Sequence, residues 1–375
     1  MQKVVVIGGG ASGLAAAIYA AKSGNEVTLL ERNSSVGKKI LITGNGRCNY
    51  FNVDQSLRHY HSSCPSSLSE IITDNNLRLI LDFFDSIGIV PKIKNGYYYP
   101  NSNQAVSVKE TLLFECELLG VNVVNDVFVS SIIKHENKFI INGNIEADKV
   151  VLATGSMALP KTGSDGNGYA LASSFGHTII KPLPALVQLI GDGKFLKNWN
   201  GIRCDVKACL CEDGKVVLEE TGEIQLTDYG ASGICIFNLS GRCARGIDEN
   251  KKEEIIINFL PDVLDFISFM EMRNKKVRGR NLGKLFDGLL NYKLVNVLLD
   301  VASVSKDKMY DELSDLEKDK LRDVICEFRL KVRGTKTFDN AQVCSGGIPL
   351  NEVNSLTMES KKCENLYLTG ELLDV

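Results

Sequence analysis

The stretch that most restricts what this chain can become is Met1 to Glu31. An apolar run, Val4-Val5-Val6-Ile7, leads into Gly8-Gly9-Gly10-Ala11-Ser12-Gly13 and then a small-residue run, Leu14 to Ala21. Gly24 stops that run, and Val27-Thr28-Leu29-Leu30 ends on Glu31. The order reads as strand, tight turn, helix, strand. The spacing Gly8-x-Gly10-x-x-Gly13 fits the dinucleotide-binding fingerprint. Gly8 permits the turn out of the strand. Gly10 lets a pyrophosphate approach the backbone. Gly13, helped by Ala15 to Ala17, lets the helix pack closely on the sheet. Free N–H groups and the positive end of the helix dipole then face the diphosphate. Glu31 lies near the expected interval of about 20 residues past the turn, where a carboxylate accepts hydrogen bonds from ribose hydroxyls. An acid there repels a 2′-phosphate, which favours FAD or NAD over NADP.

The chain has 375 residues, enough for two or three domains at roughly 100–200 residues each. Its 44% hydrophobic and 24% charged content match a soluble globular protein, and a net charge of -3 gives no global push toward nucleic acid or membrane. Eleven cysteines form no metal-type CxxC pair and no secreted disulfide pattern, so a reducing compartment is the simplest account. The uncharged run from Val4 to Ala21 is long enough to suggest a membrane span. Three consecutive glycines and the switch from strand to helix argue against one, and the default location is cytoplasmic.

After Glu31 comes a glycine-containing loop, Arg32 to Asn49, with Lys38, Lys39 and Arg47 interleaved, placed to wrap a cofactor. Apolar periodicity predicts helices over 75–88 and 105–119, each stopped by glycine. Tyr97-Tyr98-Tyr99-Pro100 reads as a short strand, and further strands are predicted at 121–125, 127–133 and 138–142. A buried-type strand, Val150-Val151-Leu152, ends in Ala153-Thr154-Gly155, where small residues let a nucleotide pass close to the backbone. The loop Thr162 to Gly168 is either another cofactor-side turn or a plain helix start, with Gly176 closing the helix. From Pro182 to about Pro261, short strands split by glycine turns suggest a separate β domain. Residues 262–330 read as helical, with Leu285, Leu289, Leu290, Val297, Leu298 and Val301 at helix-like intervals. Within them Arg273, Lys275, Lys276, Arg278, Arg280 and Lys284 make a basic run that reads first as a solvated face. A glycine turn at Ser345-Gly346-Gly347 and a last strand, Leu366-Tyr367-Leu368, precede Thr369-Gly370-Glu371 and Asp374.

Taken together, Gly8 to Gly13 with Glu31, Thr43-Gly44-Asn45-Gly46-Arg47-Cys48-Asn49, Ala153-Thr154-Gly155 and Leu368-Thr369-Gly370-Glu371 with Asp374 resemble the glutathione-reductase-type FAD-binding fold. More narrowly, the chain resembles the bacterial flavoprotein family that contains the BaiN bile-acid reductases and the aminoacetone oxidases. The resemblance covers nearly the whole chain. It implies an α/β protein: a FAD/NAD(P)-binding Rossmann-like domain with an inserted β-barrel-like domain and a helical subdomain. The expected FAD segments are 1–184 and 346–375, the β insert 185–261 with about 331–345, and the helical part 262–330. It also implies non-covalent FAD, with Gly8, Gly10, Ala11, Ser12 and Gly13 at the pyrophosphate and Glu31 and Arg32 at the adenosine side. Lys39, Gly44, Gly46, Arg47 and Cys48 would line the flavin side with Ala153, Thr154 and Gly155. Gly370, Glu371 and Asp374 would sit near the ribityl chain and pyrophosphate. The family pattern continues past Leu-Asp-Val with a glycine-rich segment and a helix facing the flavin ring, whereas this sequence ends at Val375. On that pattern it is a fragment, or the pyrimidine end of the flavin is left uncovered. Asn45 stands where the family more often has glycine.

The expected function is a flavin oxidoreductase in which NAD(P)H reduces FAD and an electron-poor C=C bond of a small organic substrate is reduced in turn. No second GxGxxG appears, so NAD(P)H would dock transiently. Within enzymes the alternative runs the other way, with a small amine or aminoketone reducing FAD and O₂ reoxidising it. A disulfide reductase is disfavoured because Val53, not cysteine, follows Cys48 at the partner position. An RNA-binding or tRNA-modifying role rests on the basic run alone, and neither nucleic acid nor membrane is an expected partner. His59, His61, His135 and His177 form no recognisable triad, so no catalytic acid or base is named.

Overall fold

The computed structural model describes residues 1–375, which divide into two units: Met1–Pro182 with Val343–Val375, and Leu183–Gln342. In the first unit the opening apolar run becomes β1 (Lys3–Ile7), with Val4 to Ile7 buried on both faces as a central parallel strand requires. It is followed by α1 (Ala11–Lys22), β2 (Glu26–Leu30), α2 (Asp74–Ser86), α3 (Ala105–Leu118), β3 (Asn122–Val124), β4 (Lys149–Leu152) and α4 (Asn167–Ser173). The closing strand Leu366–Leu368 joins β4, β1, β2 and β3, in that order, in one parallel sheet.

Register explains where a ligand goes. Ile7 is level with Leu30 and Leu152, and Leu152 with Leu368, so four strands end along one edge. The segments that follow are Gly8–Gly10, Glu31–Asn33, Ala153–Gly155 and Thr369–Glu371, the sites such sheets use for ligands. One sheet face packs Val4, Val6, Val27 and Leu29 against Leu14, Ala17 and Ile18 of α1 and Val108 and Leu112 of α3. The other packs Val5, Ile7, Val150, Leu152 and Leu368 with Tyr169, Leu171 and Ala172 of α4.

The predicted strand at 127–133 is shorter in the structure, Ile132–His135. Its lead-in spends its backbone groups elsewhere. Val127 N–H bonds the Glu31 carbonyl, and the Asn142 side chain bonds Phe128 O and the N–H groups of Ser130 and Ser131.

In the second unit β5 (Leu189–Gly191), β6 (Arg203–Glu212), β7 (Lys215–Thr227), β8 (Gly230–Gly233), β9 (Glu253–Asn258) and β10 (Phe328–Thr335) close an antiparallel barrel in the order β5-β8-β7-β6-β9-β10. Alternation points Val206, Ala208 and Leu210 of β6 and Ile255 and Ile257 of β9 into one core, shared with Ile236, Leu239 and Cys243 of α5 (Ile234–Asp248). The same alternation carries Glu212 and Glu253, which face each other across β6 and β9, to buried positions. Arg242 Nε and Nη2 hold Glu212 at 2.5 and 2.9 Å, and Lys251 Nζ at 3.2 Å. Neither oxygen of Glu253 has a partner, and a Cβ on Gly246 would collide with one of them.

Between β9 and β10 lie α6 (Phe266–Lys276), α7 (Leu282–Leu285), α8 (Tyr292–Ala302) and α9 (Asp315–Cys326). The helical spacing from Leu285 to Val301 is therefore interrupted. Gly288 turns the chain at φ +77°, Asn291 caps α8, and Leu289 and Leu290 lie in the turn between. No helix is long and apolar enough to cross a membrane.

Candidate active site

A cavity of about 700 Å³ opens at the carboxyl edge of the parallel sheet, within the range of roughly 300–1,000 Å³ usual for ligand pockets. The three glycines of the turn do different things there. Gly8 has φ +106°, and a Cβ on it would meet the Ala153 carbonyl. A Cβ on Gly13 would collide with the Gly8 carbonyl, so Gly13 is a packing residue behind the cavity. Around Gly10 there is no atom within 4 Å of a built Cβ: this glycine faces open cavity at the start of α1. No side chain caps that helix, so its first N–H groups remain available to an anion.

At one end Glu31, 6% exposed, accepts from Gly9 N–H at 2.8 Å, Asn33 N–H at 2.8 Å and Asn33 Nδ2 at 2.6 Å. A carboxylate has about four acceptor positions, so one is left for a ligand hydroxyl. Arg32 bridges to Asp165 at 2.5 Å and lies over the Phe128 ring at 4.9 Å. Asn33 Nδ2 also bonds the Thr162 carbonyl, and Lys38 Nζ bonds Asn33 Oδ1. The Thr162–Asp165 loop, left open by the sequence between two readings, thus lines the cavity.

At the other end Lys39 Nζ pairs with Glu371 Oε2 at 2.7 Å, and Ser156 Oγ donates to the same oxygen at 3.0 Å. Thr154 lines the wall nearby, and its buried Oγ1 has no partner. Cys48 and Tyr50 face the cavity from the loop after a 3₁₀ turn at Ile40–Asn45. Burial pushes both the Cys48 thiol and the Tyr50 phenol above their ordinary values, so both keep their protons. A protonated Cys48 in a chain whose eleven cysteines are all free gives no support to disulfide exchange. Leu79, Ile80, Phe83 and Phe84 of α2 add an apolar wall that the sequence showed only as helix periodicity.

Of the residues expected at the cofactor, Gly8, Gly10, Ala11, Ser12, Glu31, Arg32, Lys39, Cys48, Ala153, Thr154, Gly155, Gly370 and Glu371 line this cavity. Gly13, which packs behind the cavity, and Gly44, Gly46, Arg47 and Asp374 do not. Arg47 instead donates to the Gly44 carbonyl and covers the Tyr99 ring. Asp374 is buried and accepts from Ser63 N–H at 2.8 Å. His177 sits between Glu352 (2.9 Å from Nδ1) and Ser360 (2.7 Å from Nε2), a grouping the sequence did not reveal. Ser360 Oγ also accepts from the N–H groups of Lys362 and Cys363, and none of the three lines the cavity. They fasten the end of α4 to the Leu350–Cys363 segment; burial lowers the His177 pKa.

The parallel sheet, the glycine turn and the cavity at the strand ends define a dinucleotide-binding fold of Rossmann type. The chain belongs to the HI0933-like family: the family model described as HI0933-like protein Rossmann domain matches residues 2–375. The chain is 38% identical over 391 residues to a 3-dehydro-bile acid delta(4,6)-reductase of Clostridium scindens, covering 100% of this chain and 93% of that one. It is 26% identical over 375 residues to a ribosomal RNA dihydrouridine synthase of Escherichia coli, covering 99% and 91%. Among solved structures, a 3-ketosteroid-delta4-(5alpha)-dehydrogenase from Rhodococcus jostii RHA1 matches 100% of this chain and 91% of its own at 13% identity and a TM-score of 0.47.

Proposed function

We propose that this protein is an NAD(P)H-dependent reductase of a C=C bond conjugated to a carbonyl in a small organic substrate, with FAD held in the cavity of the first unit. The observation that carries the reading is that one cavity joins the open space at Gly10 to Glu31 at one end and to the Lys39–Glu371 pair at the other. The N–H groups of Ala11 and Ser12 hold the pyrophosphate, and Glu31 holds the adenosine ribose. Lys39, oriented by Glu371, adds positive charge, and Glu371 keeps a second oxygen for a ribityl hydroxyl. Bound FAD supplies hydride transfer. Reduction of an enone also needs a proton, and the Tyr50 phenol and Cys48 thiol, both at the cavity wall, hold one. The names of two relatives support the substrate chemistry: a 4,6-unsaturated 3-keto steroid and a uracil ring both present a C=C bond polarised by a carbonyl.

The test is a visible spectrum followed by anaerobic titration with NADH and NADPH. Flavin bands bleached by one of them, then restored by an enone, are the expected result. If both leave the flavin oxidised, the reductase reading fails. Release of hydrogen peroxide on adding aminoacetone would select the oxidase direction instead.

Glu31→Gln is expected to weaken FAD binding about tenfold to a hundredfold, since a charge-assisted hydrogen bond is worth roughly 1.5–3 kcal/mol. The new amide also directs a donor toward the N–H groups of Gly9 or Asn33. Equilibrium titration of apoprotein with FAD reads the change, and an unaltered affinity would remove Glu31 from the ribose site.

A further inference from the structure

The second unit carries a concentration of positive charge that its own packing does not use. The last turn of α6, the turn that follows and α7 itself hold Arg273, Lys275, Lys276, Arg278, Arg280 and Lys284. Arg273 is structural: its Nε and Nη2 donate to the carbonyls of Leu285 and Asp287, each at 2.7 Å, closing the end of α7. Lys275 and Lys276 stand at the carboxyl end of the α6 dipole, which favours their charge. Arg278 spends only its Nε, on the Lys275 carbonyl at 3.3 Å, and keeps the rest of its guanidinium for solvent. All five besides Arg273 are exposed, and their one ion pair is a loose contact of Lys284 with Asp287 at 3.7 Å. The neighbouring segment adds to them. Leu282 and Gly283 donate backbone hydrogen bonds to the Lys308 and Lys306 carbonyls, which sets exposed Lys306 beside Gly283.

In a chain with a net charge of -3, such a group is an asymmetry rather than a reflection of composition. We infer that the α6–α7 turn is a docking surface for RNA, held through its phosphate backbone. Phosphates fit because the cations stand on an open turn, where Asp287 is the one carboxylate that pairs with any of them. Between 273 and 284 there is no aromatic residue on which a base would stack, so the contact positions a strand without reading its sequence. A membrane surface fits less well: Leu282 and Leu285 are buried and Val277 half-buried, which leaves no apolar wedge within the basic run. This surface stands independently of the redox reading.

The experiment is fluorescence anisotropy of a labelled single-stranded RNA oligonucleotide with the full chain across a KCl series. Binding in the micromolar range near about 100 mM salt is expected, with log K falling against log[KCl] by roughly 0.7 per phosphate contact. The triple variant Lys276→Ala, Arg278→Ala, Arg280→Ala should bind at least about tenfold more weakly and flatten the salt slope by about 2. Its fold is checked by the thermal transition of Trp199, the one tryptophan, buried in the same unit. Absence of binding by the wild-type chain at about 50 mM salt overturns the inference, as does a folded triple variant that binds like wild type. Capture by phosphatidylglycerol vesicles without RNA binding also overturns it, in favour of a membrane surface.

Discussion

Gly10→Val is expected to abolish FAD binding while leaving the fold in place. The substitution suits the backbone, because Gly10 has φ -78° and ψ -173°, an extended conformation open to any residue. A built Cβ there touches nothing within 4 Å, so the side chain starts into open space. The cost to the helix is that of a poor N-cap, about 1 kcal/mol, or a few degrees in melting temperature. The isopropyl group instead fills the space where a pyrophosphate would meet the first N–H groups of α1, and affinity should fall by at least about a hundredfold. Gly13→Val is the contrast: its side chain is driven into the Gly8 carbonyl, and loss of the folded protein is expected. Apoprotein titrated with FAD and melted in parallel separates the two cases. A Gly10→Val protein that still binds FAD with wild-type affinity would show that the cradle is not where the cofactor's diphosphate lies.

The stability of the second unit is expected to fall as pH rises from about 4.5 to 7, and Glu253→Gln should remove that fall. Burial, reinforced by the Glu212 charge across the sheet, raises the Glu253 pKa from 4.5 to about 7. In this window the unfolded chain has released the proton and the folded chain keeps it. Unfolding therefore releases a proton, and stability declines by up to about 1.4 kcal/mol per pH unit until the folded group also ionises. Above about pH 7 the loss levels off at on the order of 3 kcal/mol. Glutamine has the shape of the protonated acid and cannot ionise, so the variant should be the more stable protein at pH 8 by a similar amount. Trp199 fluorescence in urea reports this unit. Parallel pH profiles for the two proteins would mean that Glu253 is not the group that titrates.

Much of the architecture is written locally. The β1-α1-β2 unit and its acid are legible because glycine spacing, helix periodicity and strand alternation all act within about thirty residues. The small residues after Leu152 and Leu368 are legible for the same reason. What the sequence hides depends on distant partners. Lys39 and Glu371 are 332 residues apart, and nothing near either announces the pair. Arg47 and Asp374 sit within motifs that point to the cavity, yet a carbonyl with an aromatic ring claims one and a backbone N–H claims the other. Glu212 and Glu253 do continue the inward alternation of their strands, but only the pairing register shows that two acids meet. The helical spacing read from Leu285 to Val301 runs straight through Gly288, whose left-handed turn breaks it.

The parallel sheet is assembled from segments far apart in the sequence. Lys149 on β4 and Tyr367 on the closing strand touch although 218 residues separate them, with the barrel and its helices threaded between. During synthesis at about 5–20 residues per second, β1, β2 and β4 emerge well before the strand that flanks β4. The edge of β4 therefore waits, with unpaired backbone groups, while the insert is being made. Glu371 arrives later still, so the Lys39 end of the cavity is completed after the glycine turn has formed. Such a high contact order makes docking of the closing strand a slow folding event and exposes the waiting edge to pairing with other chains. A cofactor that bridges the early and late segments would stabilise the assembled sheet over the one still missing its last strand.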